Sequence, residues 1–255
     1  MTIKAIAIVV TFLFLSVTFG LWRHRASSDV QPVAQVAIIR DTSDSEPSDC
    51  EQILSITKRV LARPETVPGS SITLFATGNR TTANEPKLLG SYEVPVIRRV
   101  IEGQRYAQRQ REQLLLNVQN RCTAASVTDV SPIFQAVKRG VEQLQNSGSP
   151  SDSRLLFILT DGEETADLLI KKALNQPPGT RMKLPSPIQN SNVHVVFCGM
   201  AETVGLANAG NRSKQMSQQR DPKRADRLRE VWSSLFSNGD LVTFEPYCTN
   251  AASSD

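Results

Sequence analysis

Val36-Ala37-Ile38-Ile39-Arg40-Asp41-Thr42-Ser43-Asp44-Ser45 joins an unbroken apolar run to a cluster of oxygen-bearing side chains. A continuous apolar run marks a strand buried on both faces, as in the interior of a parallel sheet. Where that strand leaves its sheet, Asp41, Ser43 and Ser45 recur at every second position. Their oxygens are hard ligands, suited to Mg²⁺, Mn²⁺ or Ca²⁺ rather than to zinc. The same residue types also crowd ordinary turns and helix N-caps. The metal reading therefore needs support from elsewhere in the chain.

Outward from this stretch, apolar strand-like runs fall at 36–39, 72–76, 91–96, 155–159, 193–198 and 241–244. Between them, residues 51–61, 104–118, 132–144, 163–174 and 224–236 have helical spacing of apolar side chains, with Ser131 placed as an N-cap before Pro132. Strands alternating with helices predict an α/β sandwich around a mainly parallel sheet. The link from 72–76 to 91–96 is too short for a crossover helix, so this pair is expected as an antiparallel hairpin at a sheet edge. Segments 175–192 and 201–222, rich in Pro, Gly, Asn, Ser and Gln, read as loops.

Two later segments extend the first. Thr160-Asp161-Gly162-Glu163 again places a carboxylate at the end of an apolar run. In open α/β sheets, ligands bind beyond the carboxyl ends of the strands, where strand order reverses. Asp41 and Asp161 then share one edge, and lie close together if the first and fourth strands are neighbours; Asp161 as a plain N-cap is the alternative. Ser126-Val127-Thr128-Asp129-Val130-Ser131 feeds the next helix on the same side, with Thr128 as a hydroxyl ligand and Asp129 or Ser131 as caps. Two carboxylates offset the charge of a divalent ion, and neutral hydroxyls fill further positions without adding charge. Such an ion stays electrophilic towards an incoming carboxylate, which is the chemistry of adhesion rather than turnover.

In these residues the chain resembles the von Willebrand factor A domain family, whose metal-ion-dependent adhesion site combines Asp-x-Ser-x-Ser with a distant Thr and a distant Asp-Gly. Asp41, Ser43 and Ser45 match the first element, Thr128 the second and Asp161 the third. The resemblance covers roughly 34–248. It implies a Rossmann-like three-layer sandwich with one antiparallel edge strand and helices on both faces. It also implies Mg²⁺ or Mn²⁺ ahead of Ca²⁺, a protein partner offering an Asp or Glu carboxylate, and no catalysis. Ser43 and Ser45 would bind the ion directly; Asp41, Thr128 and Asp161 directly or through water. The chain departs from the family at Asp44, where Gly is frequent, and at Glu46, while Asp49, Glu163 and Glu164 make the rim acidic. The implied fold makes disulfides between Cys50 and Cys122, and between Cys198 and Cys248, sterically conceivable.

Composition narrows the remaining options. A chain of 255 residues, 40% hydrophobic, can bury one substantial core. A formal charge of +4 and 5% aromatic residues argue against a nucleic-acid partner. Residues 5–22 are largely apolar and uncharged, between Lys4 and Arg23. That is about the length that crosses a bilayer. They predict a single-pass membrane anchor, or a secreted protein if the segment is cleaved, with the domain extracytoplasmic. Arg23 and Arg25 point the other way by the positive-inside rule, whereas four cysteines suit an oxidising compartment. The expected organisation is an anchor or signal at 1–25, a linker at 26–34, the domain at 35–248 and a polar tail at 249–255. A haloacid-dehalogenase-like phosphoryl hydrolase using Asp41 is the enzyme alternative, but Ser43 stands where its second Asp belongs. A structural scaffold with an unused metal site is the third reading. No His-Glu-x-x-His, Cys-x-x-Cys or Walker phosphate loop is present.

Overall fold

β1 (Ala34–Arg40) is buried at every position, and this places it at the centre of the sheet. A computed structural model describes residues 33–41, 50–62, 69–77, 86–94, 100–123, 131–147, 153–181, 183–200 and 222–245. Among them β1 pairs in parallel with β2 (Ser71–Ala76) on one side and β4 (Ser153–Leu159) on the other. β5 (His194–Cys198) and β6 (Val242–Glu245) extend the sheet beyond β4, also in parallel. β3 (Lys87–Glu93) closes the opposite edge as the antiparallel partner of β2. The order β3-β2-β1-β4-β5-β6 reverses direction between β1 and β4, so the switch point falls where Asp41 and Asp161 leave their strands.

The pleat sends alternate side chains of each strand to opposite faces. Ala37 and Ile39 point to a core shared with α3 (Ile133–Asn146), α4 (Leu168–Leu174) and α5 (Pro222–Ser234). Val36 and Ile38 point to a second core, covered by α1 (Cys50–Ala62) and α2 (Val100–Thr123). Helices therefore cover both faces, giving the expected three-layer α/β sandwich. On one side Trp232 is fully buried, tilted against Phe197 at 5.1 Å between ring centroids. On the other, Ile53, Ile56 and Val60 of α1 form one apolar stripe.

Several boundaries differ from expectation. The edge strand spans Lys87–Glu93 rather than 91–96, pairing Ala76 with Lys87 and Ser71 with Glu93. α4 begins only at Leu168, where the Asp167 side chain accepts the N–H groups of Leu169 and Ile170. Residues 163–167, expected in that helix, are instead an irregular segment. α3 begins at Ile133 after Pro132, without a side-chain cap from its own N-cap residue. Ser131 is thus not a helix cap, because its hydroxyl is turned towards Asp41.

The expected membrane localisation is corrected. Among the described residues no helix is long and apolar enough to cross a membrane. α2 has 24 residues, but Arg105, Arg109, Arg111 and Glu112 are spread along it, each exposed. A spanning helix needs about 20 predominantly apolar residues. Residues 5–22, on which the expectation of a single-pass anchor or a cleaved signal rested, lie outside the described residues, as do the expected linker's first part and the polar tail.

Candidate metal centre

Three strand ends meet at Asp41. The last rung of β1 pairs Arg40 with Ala76 of β2 and with Leu159 of β4. Asp41, Thr77 and Thr160 are therefore the first residues beyond three adjacent strands, at one level. Backbone bonds hold that level: Asp41 N donates to Leu159 O at 2.9 Å, and Thr77 N to Arg40 O at 2.9 Å. The Asp41 carboxylate is only 1% exposed. Its Oδ1 accepts the hydroxyls of Thr77 and Ser131, each at 2.9 Å, and its Oδ2 accepts that of Thr160 at 2.8 Å. A buried carboxylate needs such donors, since an ionised group deprived of water is costly unless hydrogen-bonded.

Asp161 follows Thr160 directly and is half-buried. Its Oδ1 accepts the Glu163 N–H at 2.8 Å, a short turn of the type Asp side chains favour. Gly162 adopts φ +84°, which favours glycine, and a Cβ there would press on the Met200 side chain at 3.0 Å. The Gly162 N–H donates to Thr160 Oγ1 at 3.0 Å, which in turn donates to Asp41, so the two acidic strand ends are linked through one threonine. From α5, Trp232 Nε1 donates to Gly162 O at 2.9 Å.

Two acids of the rim inferred from sequence, Glu163 and Glu164, are engaged within the fold, while Asp44, Glu46 and Asp49 lie outside the described residues. Glu163 pairs with Arg224 of α5, whose Nε lies 2.7 Å from Oε1 and whose second nitrogen bonds Oε2. Glu164 is buried, and its carboxylate accepts the N–H groups of Phe134 (2.7 Å), Ala166 (2.7 Å) and Asp167 (3.1 Å). Burial pushes its pKa above the ordinary value, outweighing the three N–H groups, which pull it down. Arg40 is buried too, and burial lowers its pKa.

Of the five expected ligands, the structure places Asp41 and Asp161 on adjacent strand ends. Ser43, Ser45 and Thr128 lie outside the described residues. Among the described residues no group of three or more His, Cys, Asp or Glu could hold a metal ion; the oxygen set gathered here is two carboxylates and several hydroxyls. Sequence reasoning missed Thr77, and it read Ser131 as a cap and Glu164 as a rim charge. A usable signal was the polar residue standing directly after each apolar run.

No protein-family model matches the chain, and no curated protein sequence matches it. Solved structures resemble it at low identity. The ArnB paralog VWA2 from Sulfolobus acidocaldarius is 13% identical, with a TM-score of 0.43 over 86% of this chain and 42% of that one. The manganese-loaded TRAP protein of Plasmodium vivax is 12% identical, with a TM-score of 0.42 over 87% and 71%. A von Willebrand factor type A structure from Catenulispora acidiphila is 10% identical, with a TM-score of 0.38 over 80% and 43%. The chain spans less than half the length of the Sulfolobus and Catenulispora chains.

Proposed function

We propose that the protein is a divalent-cation-dependent protein-binding module. In this reading Asp41, Ser43, Ser45, Thr128 and Asp161 hold Mg²⁺ or Mn²⁺, and an Asp or Glu carboxylate of a partner protein completes the coordination. The observation that carries it is the Asp41 carboxylate, buried and oriented by three hydroxyls, beside Asp161 at the switch point of the sheet. The donor chemistry fits a hard cation: carboxylate and hydroxyl oxygens, with no His or Cys in the cluster. Two acidic side chains offset the ion's charge. Because Glu163 is paired and Glu164 is inside the fold, an acidic partner meets less repulsion than the sequence suggests.

The phosphoryl-hydrolase alternative is weakened by the same geometry. A nucleophile must itself reach substrate, whereas Asp41 is buried with hydroxyls on both oxygens and would hold the ion through water.

The binding module would comprise residues 35–248. The implied pairing, Cys50 with Cys122 and Cys198 with Cys248, is part of the proposal, since no described cysteine is free. Peptide mapping under non-reducing conditions tests that pairing; a Cys50–Cys248 peptide would refute it.

Calorimetric titration of the full chain with Mg²⁺ and Mn²⁺ tests the function. Binding to wild type and its loss in Asp161→Ala are expected. Free ion at 100 times its Kd should stabilise the fold by about 2.7 kcal/mol. The absence of both heat and stabilisation with either ion would sink the proposal.

A further inference from the structure

α3 starts at Ile133, directly after Pro132, and its N-cap residue makes no side-chain cap. The first turn of a helix leaves N–H groups without intrahelical partners. Here the Phe134 N–H is taken by Glu164 Oε2 at 2.7 Å, from a segment 30 residues away. The other oxygen of the same carboxylate accepts Ala166 N and Asp167 N, shaping the segment that leads from Asp161 into α4. The neighbouring Thr165 completes the seam: its Oγ1 accepts Ser131 N at 2.7 Å, and its N–H donates to Ser131 O at 3.2 Å. Ser131 Oγ then donates to Asp41 at 2.9 Å.

The geometry points to Glu164 as the positioning residue of the metal site, joining the segment that carries Asp161 to the segment whose Ser131 orients Asp41. The inference rests on the proposed cation-binding reading and deepens it. Glu163 and Glu164 are adjacent acids with opposite duties. Glu163 lies towards the surface with Arg224, and Glu164, 2% exposed, spans two loops. An amide at 164 keeps the size but replaces one acceptor oxygen with a donor. It cannot accept on both sides at once, so the seam opens on one.

The experiment is a calorimetric Mn²⁺ titration of the full chain as wild type, Glu164→Gln and Glu163→Gln, with urea denaturation of each in metal-free buffer. Loss of a group that orients metal ligands typically weakens binding by about 10- to 100-fold. A Kd raised by about tenfold or more in Glu164→Gln, with cooperative unfolding retained and Glu163→Gln near wild type, supports the inference. Unchanged Mn²⁺ affinity in Glu164→Gln beside a binding wild type overturns it, because a lowered denaturation midpoint alone marks a helix cap and nothing more. A wild type that takes up no Mn²⁺ overturns the underlying cation reading instead, and the inference with it. Should Glu164→Gln fail to fold, Thr165→Val removes the Ser131 acceptor without a change of charge. Weakened Mn²⁺ binding there supports the seam, and wild-type affinity refutes it.

Discussion

The ends of β1 and β4 lie side by side, each carries an aspartate, and the two are held differently. Asp41 is enclosed and accepts hydroxyls from three segments. Asp161 is half-buried, and its Oδ1 accepts a backbone N–H only two residues along. Long-range bonds make the first carboxylate part of the fold's own framework, whereas the Glu163 N–H on the second belongs to a local turn. A motif that weights both aspartates equally conceals this division between long-range and local anchoring.

The largest effect should come from breaking the β1 end. Asp41→Ala leaves the hydroxyls of Thr77, Ser131 and Thr160 without their shared acceptor. It is expected to cost about 3 kcal/mol even without metal, the upper range for a single buried polar group. Urea denaturation in chelator measures this, and a loss no larger than that of an exposed substitution would erase the distinction between the two ends. Asp161→Ala removes the acceptor of the Glu163 N–H and should cost about 1 kcal/mol under the same conditions. Its stability should then be indifferent to added Mg²⁺, where wild type gains. An Asp161→Ala protein as unstable as Asp41→Ala would show that both ends are framework.

The smallest effect concerns pH. Because burial raises the Glu164 pKa in the folded protein, its stabilising contribution is complete below the unfolded value of 4.5 and is lost as pH rises through the raised folded value. In metal-free buffer, wild type should therefore gain on Glu164→Gln as pH falls from neutral towards 4.5. Denaturation midpoints across that range check the slope; a flat difference would mean the carboxyl titrates as it does in the unfolded chain.

Much of this architecture was legible because burial writes itself into composition. The runs 36–39 and 155–159 are apolar throughout, and both proved to be central strands buried on each face. The short link before β3 correctly implied an antiparallel edge. Asp41 and Asp161 were legible for the same reason, as charges abutting apolar runs. Thr77 was not, since a lone threonine before a glycine looks like any turn. Glu164 misled in the opposite direction: an acid in a polar stretch reads as solvent-facing, and only the tertiary fold brings the distant Phe134 N–H to join the two local ones from Ala166 and Asp167. The start of α4 was lost for that reason, because 163–167 are held by Glu164 and Thr165 rather than by helical bonds. The apolar length of residues 5–22 suggested a membrane span, an expectation withdrawn above.

The indole N–H of Trp232 rests on the carbonyl of Gly162, one residue past Asp161. The chain has only one other tryptophan, Trp22. With Trp22 replaced by Phe, the protein would carry its own optical gauge. Emission from Trp232 would register any displacement of the Gly162 carbonyl, without a label and without a partner in hand.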